Sequence, residues 1–321
     1  MTGRRAVIAG LLAAPFVRPA AARWEPQRPI RILRGFQPGS TGDAILHRLA
    51  DALTPLLGRP IVIESRPGAG GNIAMDALAR APADGYTLIF SPVGPVVINP
   101  ILMGPRLSYD AERDFTPLFH ICDQPLAALT HPSLPAAPAD MLGWLRQHPD
   151  TAFGSPGIGS THHLLGAMLS RAMGLHLRHV PYRGASAMLT DLVAGQIVLG
   201  FDLVGGAAAP VLSGQVQALA VSTAGRSPLL PAVPTFGECG LPQVVASSWL
   251  GIFAPAGLPA EIATRLVGAF DAAVGDPAFV AWLGRLGATP AGGDGASFTA
   301  FLARERTRWT ALIRESGITL D

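Results

Sequence analysis

The sequence predicts an α/β protein built as two units. Short apolar or β-branched runs alternate with segments of helical periodicity from residue 29 onward, which is the pattern of βαβ units with parallel strands and helices on the sheet faces. Glycine-rich turns stand at the junctions where a strand gives way to a helix. The length, 321 residues with 49% hydrophobic and 14% charged side chains, provides for two substantial cores and argues against long disordered tails. The 37 glycines and 30 prolines are dispersed, which means many tight loops and no low-complexity tract.

The chain opens with a removable leader over residues 1–22. Arg4 and Arg5 start it, "AVIAGLLAAPFV" is its apolar run, and Ala20-Ala21-Ala22 supplies small residues for cleavage. The run is too short for a membrane span, and the arginine pair leaves the twin-arginine and general export routes both open. All 24 basic residues are arginines; without Arg4, Arg5 and Arg18 the balance is 21 against 22 acids, a net charge of −1. No basic run remains, so neither a nucleic acid nor a lipid surface is expected as a partner. No later segment is apolar for the roughly 18 residues a spanning helix needs. The absence of lysine excludes a Schiff-base or P-loop lysine. Cys122 and Cys239 cannot build a disulfide scaffold; outside the cytoplasm they could pair, or be two buried small hydrophobes.

Taken in order, "IRILRGF" is a strand, and Ile45, Leu46, Leu49, Leu53 and Leu56 then fall at helical spacing up to Gly58. "IVIES", the turn "RPGAGG", the helix "NIAMDALARA" and the strand "YTLIF" follow. In the middle, "LAALT", "TAFGS", "LRHVPY", "IVLGFD" and "VQALAVS" read as strands, with helices at "ADMLGWLRQ", "THHLLGAMLSRAMG" and "ASAMLTDLVAG". "SWLGIFAP" is a buried strand, and helices near 259–275 and 296–315 close the chain. Boundaries near 121–125 and 243–248 divide it into residues 28–122 plus 247–321 and residues 123–246, both of ordinary domain size.

Two turns carry the chemistry, "GFQPGSTGD" (35–43) and "GSPGIGST" (154–161). In open α/β sheets ligands lie outside the carboxyl ends of strands, where helix starts offer unpaired N–H groups and a partial positive charge to an anion. Gly39 permits close approach, Ser40 or Thr41 can cap the first helix, and Asp43 falls in its first turn, where capping competes with ligand contact as its role. Ser155, Gly157, Gly159 and Ser160 or Thr161 repeat the arrangement. Neither turn is a P-loop or a dinucleotide fingerprint, so no nucleotide cofactor is predicted. His162 and His163 are adjacent on a helix, about 100° apart, and make a poor chelating pair, so no metal is predicted. No G-x-S-x-G elbow is present. Arg183 suits either a carboxylate fork or a solvated loop, Tyr182 suits packing, and Asp202, closing "GFD", suits either a ligand or loop amides.

The motifs "RPIRILRGFQPGSTGD", "SRPGAGGNIAMDALARAPADGYTL", "RDFTPL", "FGSPGIGSTHHL", "HVPYRGASAMLTDLVAGQIVLGFD" and "SSWLGIFAPAGLP" together resemble the extracytoplasmic solute receptors of tripartite tricarboxylate transporters, the Bug or TctC family. The resemblance runs from about Pro29 to Ile318. It implies a type II periplasmic-binding-protein fold: two α/β lobes around a ligand cleft, with two hinge crossings. It also implies a small carboxylate held by backbone amides and hydroxyls, no cofactor, no catalysis, delivery to membrane subunits of the transporter, and a periplasmic monomer that does not itself insert into the membrane. By motif, the ligand residues would be Phe36, Gly39, Ser40, Thr41, Asp43, Ser91, Ser155, Gly159, Ser160, Thr161, His163 and Asp202. The first loop departs from the family's usual Pro-Phe-x-Pro-Gly-Gly, having Gly35 and Ser40 at its ends; Ser65 stands for a common Asn, and "LVGGAAAP" for a turn usually bearing proline and serine. A sensory receptor signalling to a kinase, or a secreted α/β enzyme, are the alternatives.

Overall fold

The structure, a computed structural model, describes residues 24–36 and 38–316. The leader expected over residues 1–22 lies outside the described residues. The elements are β1 (Ile30–Arg34), α1 (Thr41–Leu57), β2 (Ile61–Ser65), α2 (Asn72–Ala79), β3 (Thr87–Pro92), α3 (Asn99–Met103), β4 (Phe115–Thr130), α4 (Pro138–Gln147), β5 (Ala152–Ser155), α5 (Thr161–Met173), β6 (Arg178–Pro181), α6 (Ala185–Val193), β7 (Leu199–Leu203), α7 (Val204–Leu212), β8 (Gln217–Val221), β9 (Ser247–Pro255), α8 (Ala260–Val274), α9 (Pro277–Arg285), β10 (Thr289–Pro290) and α10 (Gly295–Ser316). A π-helical turn, Gly94–Ile98, leads into α3.

The strands run in the order β2-β1-β3-β9-β4-β7-β5-β6, with β8 and β10 also pairing with β4. β1 lies parallel between β2 and β3, and β5 lies parallel between β6 and β7. Each is therefore a point where the strand order reverses, and the carboxyl end of such a strand opens a crevice. The two triplets are joined through antiparallel β9 and β4, which run together from Phe115↔Pro255 to Pro125↔Ser247. At Leu126, β4 leaves β9 and takes up β7, paired from Leu126↔Leu203. One strand thus belongs to both halves of the sheet. This is a mixed α/β architecture, two parallel triplets joined by a shared antiparallel strand, as the sequence predicts for two α/β units.

Burial explains the elements. α1 sets Ile45, Leu46, Leu49, Leu53 and Leu57 against Ile30 and Ile32, sharing a core with α8. Leu57, four residues after Leu53, takes the last core position in place of the expected Leu56, which is exposed, and the helix ends at the left-handed cap Gly58 (φ 65°). α2, α5 and α10 cover other faces in a second core. A third helix, α9, lies between the two expected at the end of the chain, started by Asp276, whose carboxylate accepts from Phe279 N–H (3.0 Å). Cys122 is buried, Cys239 is half-buried, and both are free thiols. Among the described residues, no single helix is long and apolar enough to cross a membrane.

Candidate functional site

The first loop leaves the carboxyl end of β1. Gly39 takes a positive φ (86°), the conformation that favours glycine, and the next residue caps α1: Ser40 Oγ accepts from Asp43 N–H (3.2 Å). Asp43 answers by reaching back, its Oδ2 accepting from Gly39 N–H (2.8 Å), so cap and first turn hold each other. The other oxygen, Oδ1, is paired with Arg34 Nη1 and lies 3.4 Å from His47 Nε2. Arg34 and Asp43 are both buried, and burial pulls the guanidinium below the ordinary arginine pKa. Phe36 meets Phe90 edge-to-face at 6.1 Å and walls the loop from below, against Gly42.

The second loop leaves β5 in the same manner. Gly159 has φ 73°, Ser160 caps α5 by accepting from His163 N–H (3.2 Å), and Ser160 Oγ donates to Gly157 O (2.7 Å). His163 stands where Asp43 stands in the first loop. Its Nδ1 accepts from Gly159 N–H (3.4 Å), which leaves the ring proton on Nε2. Its ring stacks on His179 at 3.8 Å, and His179 Nε2 lies 2.7 Å from Ser155 Oγ. Burial pushes His163 down to about 4 and His179 to about 3, with His163 adding to the second shift. Both rings are therefore neutral at pH 7. The Ser155–His179 contact has the distance of a nucleophile and its base. However, Ser155 is fully buried, its hydroxyl also meets Gly157 O (3.1 Å), and a ring protonated only near pH 3 is a weak base.

A third helix start, that of α7, joins these two. A Cβ on Gly205 would lie 3.5 Å from Thr41 Cγ2 at the start of α1. Asp202, just before α7, accepts from Leu203 N–H (2.7 Å) and lies 3.9 Å from His162 Nε2 in the first turn of α5. Burial raises Asp202 to about 7 and lowers His162 to about 4, so the contact joins groups that are never both charged. Both His162 ring nitrogens are buried without a hydrogen bond among the described residues. The second loop also presses on the first half of the molecule. A Cβ on Gly159 would lie 2.2 Å from Asn99 Oδ1, one on Gly94 would lie 3.2 Å from Gly159 O, and one on Gly70 would lie 3.6 Å from Ile158 O. Asn99 is buried, donating to Asn72 Oδ1 (2.7 Å), which Tyr109 also bonds (2.9 Å).

Of the residues expected at the site, Gly39, Ser40, Thr41, Asp43, Ser155, Gly159, Ser160, Thr161, His163 and Asp202 thus lie at three helix starts or the strand ends feeding them. Phe36 packs behind the first loop. Ser91 lies inside β3 opposite Gly251, with its hydroxyl turned to Pro92 O (3.3 Å). Arg183 is exposed, and Tyr182 donates to Asp191 (2.9 Å) against a third core. Sequence reasoning missed Arg34, Asn99 and His179 as neighbours of the loops. A charge closing an apolar strand was the only local signal for Arg34. Among the described residues no group of three His, Cys, Asp or Glu is placed to hold a metal ion.

The chain resembles known proteins along most of its length. The family profile of the tripartite tricarboxylate transporter family receptor, TctC, matches residues 45–318. Protein BugT of Bordetella pertussis is 34% identical, the match covering 100% of this chain and 99% of BugT. A Rhodopseudomonas palustris protein solved with adipate superimposes with a TM-score of 0.87 at 33% identity, covering 92% of this chain and 99% of its own. The periplasmic binding protein BugD gives 0.85 at 29% identity, with the same 92% and 99% coverage.

Proposed function

From the premise that the chain belongs to the TctC family of tripartite tricarboxylate transporter receptors, periplasmic solute-binding proteins and not enzymes, we propose that it captures a small organic carboxylate where α1, α5 and α7 begin. The observation that carries this reading is the meeting of three helix starts, through Thr41 with Gly205 and His162 with Asp202. Each start offers unpaired N–H groups and a partial positive charge, so an anion is held there without a facing basic side chain. In this reading Gly39 and Gly159 bring backbone close to the ligand, and Ser40, Thr41, Ser160 and Thr161 supply hydroxyls. His163, neutral at pH 7, and Asp202, whose carboxyl burial raises to about 7, border the other end. The solved relative with adipate supports a dicarboxylate of that kind as ligand.

Residues 28–122 with 247–321 form one lobe in this proposal and residues 123–246 the other, the crossings lying in β4 near Pro125 and before β9. The shared strand β4 supports it. Closure brings Gly159 onto Asn99 and desolvates the anion, so affinity and the closed state are coupled. The closed monomer, exported by its leader with cleavage near Ala22, then delivers its ligand to the membrane subunits of a transporter of this family.

The test is thermal stability of the protein with C4 to C6 dicarboxylates and with their diamides. A ligand at a hundred times its Kd stabilises the folded state by about 2.7 kcal/mol. A shift with an acid and none with its diamide is the expected result, weakened in Thr41→Ala and Ser160→Ala. Equal shifts with acid and diamide would reject an anion site.

A further inference from the structure

We propose that Arg34 is the residue that allows the first loop to accept an anion, by cancelling the charge of Asp43. The inference rests on the carboxylate reading of the same site. Asp43 folds the loop: its Oδ2 holds Gly39 N–H and its own N–H is capped by Ser40. Its carboxylate therefore already occupies the positive end of α1, at the place where a bound carboxylate would draw its stabilisation. Left alone, it would repel the ligand that the helix start attracts, and in a buried setting that repulsion is poorly screened.

Arg34 removes the conflict. It closes β1, at the crevice end of the strand, and its Nη1 is paired with Asp43 Oδ1. Its side chain is 8% exposed, and beyond this ion pair neither Nε nor Nη1 has a hydrogen-bond partner among the described residues. Such a guanidinium is costly to bury for structure alone, since a well-packed apolar pair serves stability at least as well. What an apolar pair cannot do is keep Asp43 as the loop's acceptor while leaving the helix start with no net side-chain charge. Arg34 acts through Asp43, and so is a positioning residue, not a ligand contact.

The test is calorimetric titration of adipate and adipamide into the wild-type protein, Arg34→Met, Asp43→Asn and the double variant. Arg34→Met is expected to lose at least tenfold in adipate affinity. The double variant should return to within about threefold of wild type, and Asp43→Asn alone should bind adipate at least as tightly as wild type. The ratio of acid to diamide affinity should follow the same order, which a purely structural loss would not produce. If Arg34→Met does not fold, the double variant, which buries no unpaired charge, decides alone. Wild-type affinity in Arg34→Met, or a double variant as weak as Arg34→Met, would overturn the compensating role. Failure of the wild-type protein to bind adipate in preference to adipamide would remove the anion site for this acid and this role with it, a result distinct from the others.

Discussion

The starts of α1 and α5 are the same device built twice with one difference. Each follows a strand at a reversal of strand order, turns on a glycine of positive φ, is capped by a serine, and has a third helical residue reaching back to the glycine N–H. In α1 that residue is Asp43, a carboxylate that needs Arg34; in α5 it is His163, held neutral by burial. A loop that must leave room for an anion can close its own turn with a neutral acceptor, or with a charged one plus a counter-charge. The second solution brings a buried ion pair with it, and the first brings a group that acid can switch.

The two glycines give the strongest way to break this equivalence. Alanine at either position would meet the left-handed penalty of about 1–2 kcal/mol. A Cβ on Gly39 meets nothing within 4 Å, whereas one on Gly159 lies 2.2 Å from Asn99 Oδ1. Asn99 cannot swing aside freely because its amide is bonded to Asn72 in a buried cluster with Tyr109. Gly159→Ala should therefore hold the loop off the first half of the molecule and reduce carboxylate affinity at least tenfold more than Gly39→Ala does. Asn99→Ala in the Gly159→Ala background should restore much of the difference. Equal losses at the two glycines, measured by titration, would mean that the Gly159–Asn99 approach is unnecessary for binding.

How much of this was open to the sequence divides along physical lines. The two loops were legible because they are local: glycine for the turn, hydroxyls at the helix start, and an apolar strand before them. Sequence left Ser40 or Thr41, and Ser160 or Thr161, as possible caps; the structure gives the role to Ser40 and Ser160. The pairings across the fold were not legible. His162 meets Asp202, and His163 stacks on His179, because β7 and β6 flank β5, and strand order is not written in spacing. The length of β4 was hidden as well, since Pro117 and Pro125 interrupt what reads as a strand and its partner β9 lies more than a hundred residues away. α9 had its signal in Asp276-Pro277, an acceptor followed by proline, but no more than nine residues of helix to support it.

The imidazole side of the comparison can be sharpened with pH. His162 and His163, lowered to about 4, and His179, lowered to about 3, stay unprotonated in the folded protein where the unfolded chain, with ordinary histidine values near 6.5, takes up protons. The unfolded state then binds more protons, so stability rises with pH through this window and is lost as pH falls from about 6.5 toward 4. Asp202 works in the opposite sense. Raised to about 7 by burial from an ordinary 3.8, it keeps a proton in the folded state that the unfolded chain has released, so its contribution is lost as pH rises through about 7. The three imidazoles outweigh the one carboxylate from about pH 4 to 6.5, and all four effects are spent above about pH 7. Urea midpoints should therefore rise with pH and level off near pH 7, and Asp202→Asn, which removes the opposing group, should steepen the rise between about pH 4 and 7. A rise unchanged in Asp202→Asn would mean that the carboxylate ionises there without penalty.

The finest distinction lies in the two caps. Removing a serine cap costs about 1 kcal/mol, and Ser40→Ala and Ser160→Ala each free one N–H in the first turn. Ser160 has a further task, because its hydroxyl proton goes to Gly157 O at 2.7 Å and ties the turn to the helix, whereas the described partner of Ser40 Oγ is Asp43 N–H. A hydrogen bond of that kind adds about 1 kcal/mol when its acceptor is left without a substitute. Ser160→Ala should accordingly lower the melting temperature by a few degrees more than Ser40→Ala. Equal shifts would mean that solvent replaces the hydroxyl at Gly157 O. The Ser160 hydroxyl would then contribute, like that of Ser40, only through its cap, and the likeness between the two helix starts would extend to the energetics of their caps.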